Sequence, residues 1–269
     1  MTKHKIIFIG SLSIFVLMIV AFLISPYSTA IFKSKSHFIQ HSSTTNVYYE
    51  QGAEDFADSI ALYLPKAVKR VEQIHRLPFE ESFKIYICNT QKSFNEFIAN
   101  TSPFPIRGAA MLGNVLIAPS AFNFIGRDTH KETLTHELSH LHFRQRIGFF
   151  KGRKHPAWFR EGLADYVAGS GGEGIEDSEA INLILNGKHF IPEEEGEIFG
   201  SLHKAFNGLS GRMFHKQVKM FVTFLYHYNN KSFQNFLLDI QNDKSFKESI
   251  KNRFGYDVTE LWKKFFQQL

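Results

Sequence analysis

The longest apolar stretch of the chain, residues 6–24 (IIFIGSLSIFVLMIVAFLI), carries no charge. At ~1.5 Å rise per residue a helix of that length comes close to crossing the hydrocarbon of a bilayer, so residues 1–24 are expected to form a single-pass N-terminal membrane anchor. The run is longer than the apolar core of a cleaved signal peptide, which favours an uncleaved anchor. Lys3 and Lys5 before it tip the orientation towards an inside N-terminus, with the rest of the chain extracytoplasmic. Residues 25–45 are rich in Ser, Thr and Lys and show neither helical nor strand periodicity, so they are expected as a linker. From residue 46 the pattern becomes that of a folded domain. Phe56, Ile60, Leu64, Val68, Val71 and Ile74 recur at helical spacing despite Pro65, and residues 83–88 (FKIYIC) alternate as a strand. Residues 91–100 return to a helical pattern. Two short apolar runs, 109–112 and 114–118, flank Gly113 as a hairpin that ends at Pro119. A long helix follows, with Asp128 or Thr129 as its N-cap and Gly148 as its stop, and a second helix covers 158–168. Residues 169–174 (GSGGEG) read as a flexible loop and 193–197 as an acidic turn. From Phe214 onward the chain is Phe-rich and helical in period, with turns at Asn229-Asn230 and Gly255. The pattern predicts an α+β fold over 46–269, with the sheet and the long helix in 46–147 and a helical part in 148–269.

Composition narrows the chemistry. With 43% hydrophobic and 21% charged residues, the chain is too apolar to be mainly disordered. Its one cysteine, Cys88, excludes a disulfide framework and clustered-thiolate zinc sites, so a metal here must be held by histidine and carboxylate. The net charge of +5 is a modest excess, and no nucleic-acid partner is expected from it.

His136-Glu137-Leu138-Ser139-His140 is an H-E-x-x-H pattern inside the long helix. The i,i+4 spacing puts both imidazoles on one face, where two nitrogens can share one metal ion. Glu137, one residue round the helix, can take a proton from a water at that ion as general base. Glu161, in His155-Pro156-Ala157-Trp158-Phe159-Arg160-Glu161-Gly162-Leu163-Ala164-Asp165-Tyr166, completes a His₂Glu set of the kind that holds catalytic Zn2+ with a position left for water. Asp165 lies one turn after Glu161 and can accept the far N–H of a ligand imidazole.

With H-E-L-S-H followed by W-F-R-E-G-L-A-D-Y, the chain resembles the gluzincin metallopeptidases, most closely the bacterial peptidase MA-like group. The resemblance spans roughly residues 50–265, with specific motifs only between about 108 and 166. It implies a zincin-like domain with a small mixed sheet, His136, His140 and Glu161 as zinc ligands, Glu137 as base, and Asp165 paired with His136, as in thermolysin-like enzymes. It also implies that residues 108–119 (GAAMLGNVLIAP) contain the edge strand that binds extended peptide. Pairing with such an edge would supply main-chain hydrogen bonds and aim one carbonyl at the metal. Relatives carry an oxyanion-stabilising tyrosine near the start of the helix that here contains Phe221. This chain has His215 there, with Tyr166 as the second choice.

Other features take blander readings. His142 points away from His140's face and is expected to be structural, and His155 is a loop histidine before proline. Arg144, Arg146, Lys151, Arg153 and Lys154 are expected to form a solvated helix end. Residues 193–197 are expected as an exposed loop, and the Phe-rich stripe as core. The expected activity is membrane-anchored, zinc-dependent hydrolysis of peptide or protein substrates. The alternatives are a catalytically inactive zincin-fold binding module at the cell surface and a basic surface protein that binds polyanions.

Overall fold

The computed structural model describes residues 26–100, 105–197 and 202–269. The apolar run at 6–24 lies outside the described residues, and among them no helix is long and apolar enough to cross a membrane. The reading of 25–45 as a tether is corrected: helix α1 (Pro26–Phe32) forms within it, and β1 (Ile39–Gln40) pairs antiparallel with β2 (Val47–Tyr49). The stretch is anchored at several points, among them His41, whose Nε2 lies 2.8 Å from Asp58 Oδ1. Ala30 and Phe38 are buried, Lys33 forms an ion pair with Glu96, and the Lys35 ammonium lies 5.6 Å from the Tyr86 ring. Two buried apolar side chains leave no periodicity to read.

Helix α2 (Glu54–His75) buries Ala57, Ile60, Leu64, Ala67, Val71 and His75, one stripe at three-to-four-residue spacing that continues through Pro65. It leads to β3 (Ile85–Ile87), helix α3 (Gln91–Ile98), β4 (Gly108–Met111) and β5 (Asn114–Ile117). The five strands lie in the order β1-β2-β3-β5-β4, with β2, β3 and β5 parallel and the two outer strands antiparallel. All three β3 residues are buried because both sheet faces are covered. Ile85 and Ile87 join the main core beneath α2, while Tyr86 and Leu116 meet Phe38, Phe94 and Phe97 on the opposite face. Cys88 lies in that second cluster, where burial pushes its thiol up to about 12.

The rest of the chain is mainly helical: α4 (His130–Ile147), α5 (Phe149–Arg153), α6 (Ala157–Ala168), α7 (Asp177–Leu185), α8 (Leu202–Ala205), α9 (Gly211–Tyr228), α10 (Asn230–Gln241), α11 (Phe246–Phe254) and α12 (Val258–Phe266). The N-terminal geometry of α4 departs from the expected side-chain cap. The Thr129 hydroxyl donates to Ala121 O, and Asp128 Oδ1 accepts from His130 N instead. The Phe-rich stripe is core, since Phe221, Phe233, Phe236, Phe246 and Phe265 join one cluster that reaches back to Val47. Two expected loops are pinned. Glu173 of the glycine-rich loop pairs with Arg107 at 3.0 Å, and the acidic turn is held by bonds from Trp158 Nε1 to Glu193 O and from Gly196 N to Lys154 O.

Candidate metal centre

Helix α4 lies between the sheet and α6, which brings the two motifs together. On one side Gly108 of β4 runs so close that a Cβ there would stand 2.7 Å from Glu137 Cγ and 2.8 Å from Thr133 Cγ2. On the other, α6 meets α9 through Gly162, where a Cβ would stand 2.7 Å from Val218 O. These two close approaches fix the helix that carries the histidines and the helix that carries the carboxylates.

His140 Nε2 lies 3.0 Å from His136 Nε2 and 3.2 Å from Glu161 Oε2, and His136 Nε2 lies 3.5 Å from the same Glu161 oxygen. Among the described residues these three form the one group of metal-ligating side chains whose donor atoms all lie within 4.8 Å of one another. Ligands at ~2.0–2.1 Å around a tetrahedral Zn2+ stand ~3.3 Å apart, so the triangle has the size that a four-coordinate zinc needs. The donor set, two imidazole nitrogens and a carboxylate, is right for zinc as well. Without a cation, burial favours the neutral forms, and charge exchange within the group overrides it. The His140 and His136 rings hold the Glu161 carboxyl well below its ordinary range against burial. Asp165, helped by Glu161 and Glu137, raises His136 well above the ordinary imidazole value against the same burial.

Asp165 bridges two histidines. Its Oδ1 is 2.9 Å from His136 Nδ1 and its Oδ2 is 2.7 Å from His215 Nδ1. With Nδ1 of His136 donating to the carboxylate, the neutral form of the ring is the tautomer whose Nε2 lone pair faces the cluster. Burial would raise the Asp165 carboxyl, but His215 and His136 lower it. The His215 imidazole is in turn raised by Asp165 against its own burial. The His136 and His215 ring centres are 6.0 Å apart. His215 therefore lies beside the cluster, whereas Tyr166 packs on Tyr226, with ring centres 5.0 Å apart.

Glu137 faces the edge strand. Its Oε2 accepts from Ala110 N at 2.8 Å, and the carbonyl of Ala110 accepts from Arg144 Nη1. Because Ala118 N donates to Arg107 O and Ala109 is paired with Leu116, ladder alternation turns the main-chain groups of Gly108 and Ala110 outward. Sequence reasoning placed this hairpin but missed both of these contacts. It also misplaced Arg144 in a solvated helix end: the residue is partly buried beside the cluster, and its position four residues after His140 was the available signal. His142 is structural, with Nε2 2.9 Å from Leu77 O, and His155 is buried against Phe143 and Phe246.

No protein-family model and no curated protein matches the chain. A solved structure of yeast LTA4 hydrolase in complex with bestatin is similar over 81% of this chain, at 13% identity and a TM-score of 0.47. The chain spans 37% of the length of that structure.

Proposed function

We propose that the protein is a zinc-dependent metallopeptidase of zincin-like fold, with His136, His140 and Glu161 as ligands and Glu137 as general base. The observation that carries this reading is the convergence of two imidazole nitrogens and one carboxylate oxygen at zinc-sized separations, with Glu137 on the adjoining turn. Held by His136, His140 and Glu161, a Zn2+ ion would supply Lewis-acid polarisation of the scissile carbonyl and a lowered pKa for water. Glu137 takes the proton of the attacking water, and the Ala110 N–H bonded to Oε2 holds that carboxylate in place. His215, oriented through Nδ1 by Asp165, presents its other nitrogen as donor to the developing oxyanion. The outward main-chain groups at Gly108 give an extended substrate an edge to pair with. The proposal keeps residues 6–24 as a single-pass anchor, with the domain extracytoplasmic, on the strength of their uncharged apolar sequence.

Glu137→Gln tests the chemistry. Cleavage of a peptide library should fall by about 10²-fold or more, while bound zinc is unchanged. Chelator-insensitive cleavage, or full activity in the variant, contradicts the reading. A chain that binds zinc and peptide yet never cleaves is the inactive binding module.

A further inference from the structure

A charge partly removed from water needs a partner, and among the described residues Arg144 has no charged one. Its Nη1 donates to the Ala110 carbonyl, and its guanidinium lies 5.6 Å from the Phe149 ring centre, with that of Arg153 5.9 Å from the same ring. Among the described residues no carboxylate comes within ion-pair distance of Arg144, whereas Arg107, Arg146 and Arg253 each have one. Arg160, next to ligand Glu161, is similar: its Nε donates to His155 O at 3.2 Å, and no carboxylate pairs with it among the described residues. Burial lowers the Arg144 guanidinium, the site's own acids Glu137 and Glu161 act against that, and Arg153 lowers it further. With Glu161 committed to a cation, Arg144 holds a positive charge against the Ala110 carbonyl of the edge strand.

Resting on the peptidase reading above, we propose that Arg144, supported by Arg160, forms a subsite for a carboxylate of the substrate, next to the metal position at the Ala110 end of the edge strand. A guanidinium matches a carboxylate with two parallel N–H bonds, and Arg144 has donors beyond the one given to Ala110. The carboxylate is either an Asp or Glu side chain or the C-terminus of the peptide.

The test uses the full chain, zinc-loaded, carrying Glu137→Gln so that peptides bind without turnover. The probes are blocked hexapeptides in which one Glu is walked through a Gln background, and the Gln peptide with a free or an amidated C-terminus. One position of Glu, or the free C-terminus, should bind roughly tenfold tighter than the neutral peptide. Arg144→Met should abolish that preference, so that the Glu-containing and neutral peptides bind it alike, and Arg144→Lys should keep part of it. Arg160→Met should weaken it and serves as the second variant if Arg144→Met does not fold. Equal binding of all peptides, no binding, or a preference that survives both methionine variants overturns the subsite. Acid-selective binding by a chain that in its unaltered form cleaves none of these peptides overturns the peptidase reading and leaves the subsite standing.

Discussion

At the residue scale, Asp165 joins the proposed ligand His136 to His215 and so sets two hydrogen-bond geometries with one carboxylate. Asp165→Asn should lower zinc affinity by about 10–100-fold, read by competition with a chromophoric chelator, because outer partners of a metal-binding histidine contribute at that level. His215 gives a second prediction. Its pKa is raised, so the protonated donor form persists to higher pH than for a free imidazole and is lost as pH rises through the raised value. Peptide hydrolysis should show an alkaline limb that flattens in His215→Gln, whose amide donates without titrating; an unchanged limb assigns it elsewhere. At this scale the sequence was most informative where chemistry demands spacing. His136 and His140 could be read because i,i+4 places them on one face, and Glu161 because two histidines need a third ligand. Arg144 was harder to read: its place four residues after His140 was the one signal, cations are favoured in the last turn of any helix, and the packing of β4 against α4 shows that this one is drawn inward.

At the element scale, the site depends on close packing of one strand and three helices. Gly108 sets the distance between β4 and α4, and Gly108→Ala would place a methyl carbon against Glu137 and Thr133. The expected cost is ~1–3 kcal/mol in denaturant unfolding, with cleavage falling further than stability explains, because Glu137, the proposed base, is displaced. Wild-type activity in that variant would show that the close approach is dispensable. Helices α2, α4 and α6 and the β4–β5 hairpin were legible because each carries a long apolar stripe, a cap or a turn signal. Helix α1, strand β1 and helix α7 were not. Helix α7 buries only Ala180 and Ile184, and β1 contributes two exposed residues, so tertiary pairing rather than local pattern defines them.

At the scale of the whole molecule, one aromatic-rich core runs from Val47 to Phe265 and sets how the protein responds to acid. His155, enclosed near Phe143 and Phe246, is lowered to about 4, first by burial and then by Arg160. The unfolded chain then binds a proton that the folded chain excludes. Stability from this group is complete above the unfolded imidazole value, falls with decreasing pH by ~1.4 kcal/mol per unit, and levels off below the folded one. His75 and His142, lowered chiefly by burial, act in the same direction. In His155→Phe, the slope of unfolding free energy against pH between about 6 and 4 should be shallower by about one proton; an identical slope would show that His155 titrates normally in the folded protein.

The central claim is that three side chains from two helices hold one metal ion. Zinc content of the purified full-length chain, measured by elemental mass spectrometry, tests it most directly. One zinc per chain is expected in the wild type, with loss in Glu161→Ala and in His136→Ala while both variants remain folded. Zinc-free wild-type protein after incubation with the metal, or undiminished zinc in both variants, would contradict the account.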